Sequence, residues 1–265
     1  MTGMLRPWET LACLRQQQPL VHHLTNWVTI YDCAQVVKVL GGSPVMAHAR
    51  QEVAQMASLA SALVLNIGTL TPELVEAMLL AAQAANAKGI PVVLDACGAG
   101  ATALRDEACF ELLEKARIDI LKGNASEIAR LSGAAVQTKG VDAAAVDLDL
   151  GDMARTLAQL LQLVVVTGAT DIVASPEKSY RVRNGHPFMA QVVGTGCMAT
   201  SLIGAFAAVE PDLAAAAAAA LVCFGVAAEA AAPRALGPAT FKEKLFDALY
   251  NLDEATLRKK MHVAA

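Results

Sequence analysis

The sequence predicts an α/β fold: one mostly parallel sheet with helices on both faces. Three observations lead there. Continuously apolar stretches, such as 62–67, 90–94 and 163–166, recur along the chain and end in polar residues or glycine. Helical stretches separate them, and strands buried on both faces by crossover helices read as unbroken apolar runs. Hydrophobic residues make up 55% of the 265 residues and charged residues 17%, enough apolar material for a large two-sided core. No linker, repeat or composition break interrupts the chain, so a single domain over 1–265 is expected.

The elements follow in order. Residues 8–18 read as a helix with one polar face. Residues 19–26 (PLVHHLTN) read as a short strand with a polar exit. A helix is expected from about 32 to 40, stopped by Gly41-Gly42, then an extended piece at 43–47 and a helix at 51–61. The strand 62–68 precedes a helix opened by Thr71-Pro72-Glu73, with a threonine cap, proline in the first turn and an early acid. That helix runs to Lys88-Gly89. The strand 90–95 ends in Asp95 and leads into the loop Cys97-Gly98-Ala99-Gly100. A helix at 106–115, a strand at 119–122 and a helix opening at Asn124 come next. Residues 133–151 look irregular, with scattered acids at Asp142, Asp147 and Asp149. A helix at 153–161, the strand 163–168 and a small hairpin (172–174 with 179–182) lead to the turn at Gly194, whose helix runs to Val209. An alanine-rich helix and a C-terminal helix from about 241 complete the chain.

Charge and cysteines narrow the function. A net charge of −4 argues against nucleic acid as the main partner. The six cysteines, at 13, 33, 97, 109, 197 and 223, form no CxxC pair and lack the spacing of a zinc site or disulfide framework. Residues 1–18 have no apolar core of a secretory signal. A reducing cytoplasm is the expected compartment. The alanine-rich tract 213–228 is read as too short and too weakly apolar for a membrane span.

The chemistry concentrates at Gly194-Thr195-Gly196-Cys197. Glycines permit a sharp turn and a close approach by a ligand. The first amides of the following helix lack internal partners and carry the positive end of its dipole, which makes the turn a candidate phosphate site with Cys197 at its mouth. Ligands of parallel α/β sheets gather at the carboxyl ends of the strands. Asn26, Gly68, Asp95, Lys122 and Thr167 all fall there.

Eight segments in the same order carry a family resemblance: VHHLTN (21–26), GSPVM (42–46), LNIGTL (65–70), LDACGAG (94–100), KGNASE (122–127), KGVD (139–142), VTG (166–168) and VGTGC (193–197). On these the chain resembles the hydroxyethylthiazole kinases of the ribokinase-like superfamily, from about residue 21 to 252. The resemblance implies a ribokinase-like fold. It implies ATP-dependent phosphorylation of the hydroxyl of 4-methyl-5-(2-hydroxyethyl)thiazole for thiamine salvage, and a homotrimer with substrate sites near subunit contacts.

It also implies roles. Cys197, with the amides of Thr195 and Gly196, stands at the reacting phosphoryl group; other ribokinase-like kinases carry aspartate at the Cys197 position. Cys197 as base and Cys197 as a positioning group both remain open. Met46, Gly194, Asn26 and Gly68 line the substrate pocket, Lys122 and Thr167 contact ATP, and Asp95 and Glu127 face magnesium. His22 and His23 belong to the pattern without a proton-transfer role. The chain departs from the family at three places. Lys122 stands where many members have arginine, Ala96-Cys97 where Pro-Val is common, and Ala239-Thr240 where Gly-Ser is usual. Rival readings are a hydroxymethylpyrimidine-type kinase, a nucleotide-hydrate dehydratase of the same fold, and a non-catalytic ATP or thiazole sensor.

Overall fold

A computed structural model describes residues 5–133 and 150–264. The family segment at 139–142 and the acids Asp142, Asp147 and Asp149 lie outside the described residues.

The chain runs α1 (Pro7–Gln17), β1 (Leu20–Leu24), α2 (Ile30–Leu40), β2 (Ser43–Val45), α3 (Val53–Leu59), β3 (Ala62–Asn66), α4 (Pro72–Lys88), β4 (Val92–Asp95), α5 (Ala103–Lys115), β5 (Ile120–Asn124) and α6 (Ala125–Leu131). It resumes with α7 (Leu150–Ala158), β6 (Leu163–Thr167), β7 (Asp171–Ala174), β8 (Ser179–Val182), α8 (Thr195–Ala207), α9 (Leu213–Ala231), α10 (Pro238–Tyr250), α11 (Glu254–Lys260) and β9 (Val263–Ala264). The strand order is β2-β1-β3-β4-β5-β6-β7-β8-β9. β2 through β6 pair in parallel, whereas β7, β8 and β9 extend the sheet antiparallel.

The period of two along each strand decides which helices it faces. Val21, Val64, Val93, Ile120 and Val165 pack with α1, α2, α8, α9 and α10. Their neighbours Leu63, Leu65, Leu94, Leu121 and Val164 pack with α3 through α7. α8 lies almost on the sheet: a Cβ built at Gly204 would fall 2.4 Å from Val64 Cγ2.

Two expectations change. The C-terminal helix expected from about 241 stops at Tyr250, and residues 254–260 and 263–264 form a separate α11 and an edge strand. Both are short, and their order comes from packing: Leu257 is buried among α1 and α9, and β9 pairs with β8. The alanine-rich helix is also longer than expected. With the turn that follows, 213–234 spans 22 residues at mean hydropathy 2.0, enough by length and composition to cross a membrane. Here it is a core helix, because 78% of that apolar window is buried against the sheet and its neighbouring helices.

Candidate active site

The site lies where β1, β3, β4 and β5 end beside the start of α8. Register places Asn66 next to Asp95 and Asp95 next to Lys122. Each is two residues beyond a valine or isoleucine on the α8 face of its strand, so all three side chains stand on that face in one row. Asp95 is fully buried. Its Oδ1 is 3.1 Å from Lys122 Nζ, and its Oδ2 accepts from Asn66 Nδ2 at 2.8 Å and from the Thr200 hydroxyl at 2.7 Å. Thr200 sits one turn into α8, so this bond fixes the helix start over the strand ends.

Gly194 caps α8 with a positive φ of 92°, in the left-handed region that favours glycine. A Cβ there would fall 2.3 Å from Thr29 Cγ2. The amides of Thr195, Gly196 and Cys197 form the helix's first turn, where no intrahelical acceptor exists. Lys122 Nζ lies 3.2 Å from where a Gly196 Cβ would stand, so a cation sits against the turn. Burial works against the Lys122 charge, but Asp95 and Glu127 outweigh it and hold the ammonium above its usual range.

Cys197 Sγ is buried and accepts from Asn26 Nδ2 and Asn66 Nδ2, both at 3.3 Å. The neighbouring Cys97 thiol is the chief cause that lowers Cys197 to about 7. Burial and Asp95 oppose it, while Lys122 and Thr29 assist. The same contact pushes the Cys97 thiol far up. Glu127 is the third residue of α6; Asn124 caps that helix and its amide donates back to Glu127 Oε2 at 2.6 Å, completing a capping box. Gly98 N–H donates to Oε1 at 2.7 Å. Burial raises the Glu127 carboxyl and Lys122 pulls it back.

These features amount to a helix start with first-turn amides free of intrahelical acceptors, a cation against it, a buried sulfur in its first turn and two buried carboxylates nearby. The hydroxyethylthiazole kinase family profile matches residues 11–255. A hydroxyethylthiazole kinase of Methanosarcina mazei is 50% identical over 254 residues, covering 96% of this chain and 97% of that one. The chain belongs to the hydroxyethylthiazole kinase family.

The solved structure of hydroxyethylthiazole kinase from Pyrococcus horikoshii OT3 superposes on this kinase with a TM-score of 0.89 at 39% identity, over 98% of this chain and 99% of that one. A ribokinase-like superfamily protein from Enterococcus faecalis superposes at 0.62 with 14% identity, over 92% and 95% of the two chains, and carries the fold alone. The chain therefore has the ribokinase-like fold.

The residues singled out from the sequence divide into three groups. Cys197, Gly194, Gly196, Asn26, Asp95, Lys122 and Glu127 come together at the strand ends beside the start of α8. Gly68 joins them through its amide, which donates to Asn66 Oδ1 at 2.9 Å; a Cβ there would crowd Asn66 and Asn26. Thr195 is present through its backbone, since its hydroxyl turns away to donate to Met189 O at 2.9 Å. Thr167 ends β6 beside Asn124, and its hydroxyl donates to Gly123 O at 3.4 Å, away from the sulfur. Met46 is tied to the exit of β1 through its carbonyl: His48 Nδ1 donates to Met46 O at 3.1 Å while Nε2 accepts from Thr25 N–H, one residue before Asn26, at 3.2 Å. His22 Nε2 donates to the next carbonyl, Ala47 O, at 2.8 Å.

The sequence reading missed Asn66, Thr200, Thr29 and Arg105. Asn66 carried a signal, as the one polar side chain in an apolar strand. Arg105 carried none: its guanidinium donates to the carbonyls of Ile67, Cys97 and Gly68, each at 2.8 Å, and so ties the two strand-exit loops together.

Proposed function

We propose that this kinase transfers the γ-phosphoryl group of ATP to the primary hydroxyl of 4-methyl-5-(2-hydroxyethyl)thiazole, giving the thiazole phosphate used in thiamine salvage. The observation that carries the reading is the ionisable Cys197 sulfur at the mouth of an amide turn that has Lys122 Nζ against it. Phosphoryl transfer asks for in-line positioning and for positive charge where negative charge gathers. The first-turn amides of 195–197 and the Lys122 ammonium supply that charge, and Thr167 at the β6 exit extends the nucleotide side. Asn26, Gly68, Gly194 and the Met46 loop line the acceptor side. Cys197 takes the hydroxyl proton, since a group titrating near 7 is matched to base catalysis at neutral pH.

Among the described residues no group of three or more His, Cys, Asp or Glu is set to hold a metal ion. Magnesium nevertheless fits the donor set. Asp95 and Glu127 are hard oxygen donors that repel one another in a buried site, and magnesium keeps several waters and leans on phosphates. Each carboxylate oxygen already accepts at least one protein donor but an ionised carboxylate has further lone pairs, so these residues would hold the ion directly or through water. Bound there, it would offset charge on the phosphates.

A homotrimer is part of the proposal. Trp27, Val28 and Tyr31 leave a 57–69% exposed apolar patch on the rim next to Asn26, suited to burial against a second copy. A thiol at the reacting position calls for a reducing compartment, here the cytoplasm.

The test is mass spectrometry of purified protein with ATP, magnesium and the hydroxyethylthiazole, with a hydroxymethylpyrimidine alcohol as control. Phosphate on the thiazole alone is the expected result. No product from either alcohol, in folded protein that still binds ATP, overturns the kinase assignment in favour of the dehydratase or sensor readings.

A further inference from the structure

We propose that Asn66 and Asn26 are positioning residues that keep Cys197 Sγ a hydrogen-bond acceptor, and so keep the sulfur open to the substrate's hydroxyl proton. The inference deepens the kinase reading and rests on it.

The two carboxamides each have one fixed direction. Asn66 Oδ1 accepts the Gly68 backbone N–H at 2.9 Å, and Asp95 Oδ2 lies 2.8 Å from Asn66 Nδ2. A backbone N–H cannot accept and a carboxylate cannot donate, so the amide has one orientation. Asn26 Oδ1 accepts the backbone N–H and the hydroxyl of Thr29, both at 3.0 Å, which fixes that amide as well. Each Nδ2 has two hydrogens. One from Asn66 goes to Asp95, and one from Asn26 goes to Asn66 Oδ1 at 3.0 Å. The remaining hydrogen of each amide is aimed at Cys197 Sγ from 3.3 Å. Two directed donors at one buried sulfur favour the unprotonated form, by hydrogen bonding to the charged state.

The charged and titratable groups facing this sulfur come from four elements. They are Asp95 on β4, Cys97 on the loop after it, Lys122 on β5 and Cys33 on α2. The two asparagines are neutral, so they act by direction and not by net charge. In the transfer, the substrate O–H proton passes to the Cys197 thiolate. The freed oxygen pair bonds to the γ-phosphorus, and the bridging P–O bond breaks with its electrons leaving on ADP.

The experiment measures the pH dependence of Cys197 alkylation by iodoacetamide, located by peptide mass spectrometry, alongside kcat/KM. Asn66→Ala and Asn26→Ala are each made in the native chain and in a Cys197→Asp background. With one donor gone, the alkylation midpoint should rise by about one unit from near 7. The ionised fraction at pH 7 then falls from about a half to about a tenth, a roughly fivefold loss of kcat/KM at pH 7 that is recovered by pH 9. In the Cys197→Asp background, where the acceptor is already ionised, the same changes should cost less than about twofold, evenly across pH 6–9. A merely structural role would lower both backgrounds alike. If Asn66→Ala fails to fold, Asn26→Ala carries the test, since it removes a donor to the same sulfur. An unmoved midpoint in a folded variant overturns the proposal even if native protein makes the thiazole phosphate. A shifted midpoint in protein that makes no thiazole phosphate overturns the proton-transfer step together with the reaction reading.

Discussion

Gly194→Ala tests the turn most directly, because the structure gives two separable costs. The first is backbone strain: φ is +92°, and a left-handed conformation costs an L-residue with a Cβ about 1–2 kcal/mol. The second is steric: the new methyl would stand 2.3 Å from Thr29 Cγ2 and 3.0 Å from its Cβ. Overpacking of this kind typically costs about 1–3 kcal/mol, so the variant should lose about 2–5 kcal/mol of stability. Relief by moving Thr29 would loosen the Asn26 carboxamide that Thr29 anchors, and with it one donor to Cys197. Displacing one turn amide from the reacting phosphate should cut kcat by about 10²-fold. Thr29→Ser keeps the hydroxyl and deletes the clashing methyl, so it should return about 1–2 kcal/mol to Gly194→Ala while leaving the strain cost in place. Urea unfolding of the two single variants and the double variant measures the coupling. A strictly additive cycle, or a Gly194→Ala enzyme with native stability and rate, refutes the reasoning.

Other outcomes follow from buried charge. The kcat/KM profile should fall with an acid limb near pH 7 as Cys197 takes up a proton, and Cys197→Asp should abolish that limb between pH 6 and 9. Cys97→Val removes the thiol donor beside Cys197, so the same limb should move to higher pH; steady-state rates across pH read it. Lys122→Met leaves the Asp95 carboxylate buried without its cation and should cost about 3–5 kcal/mol, measured by urea unfolding. Burial depresses His23 to about 3, below its value of about 6.5 in an unfolded chain. The unfolded state therefore binds the proton first, and stability present above pH 6.5 is lost as pH falls toward 3. That is about 2 kcal/mol by pH 5, and His23→Gln should remove this slope in thermal melts.

Much of the fold was legible because a parallel sheet writes itself into the chain. Strands covered on both faces read as continuous apolar runs, and parallel neighbours need a crossover of a dozen or more residues, usually a helix. The runs at 62–65, 92–94 and 163–166 meet the first requirement and α4 the second. β9 and α11 were not legible: one is two residues long and the other seven, and their order comes from β8 and from a pocket closed by α1 and α9.

The site divides along the same line. The sequence by itself determined the Gly194–Cys197 turn and the polar strand exits, because both are local: a glycine where φ turns positive, a helix start, a strand end. Period two puts Asn66, Asp95, Lys122 and Thr167 on one face only because Val64, Val93, Ile120 and Val165, two residues earlier, share one, and strand order and register decide that. Only the tertiary structure decided which of these touch. Thr167 lies one strand beyond the cluster, whereas Asn66 bridges a carboxylate 29 residues away and a sulfur 131 residues away. Hydrogen bonds are directional and reach about 3 Å, so their partners depend on strand order and register, which no local stretch of chain contains.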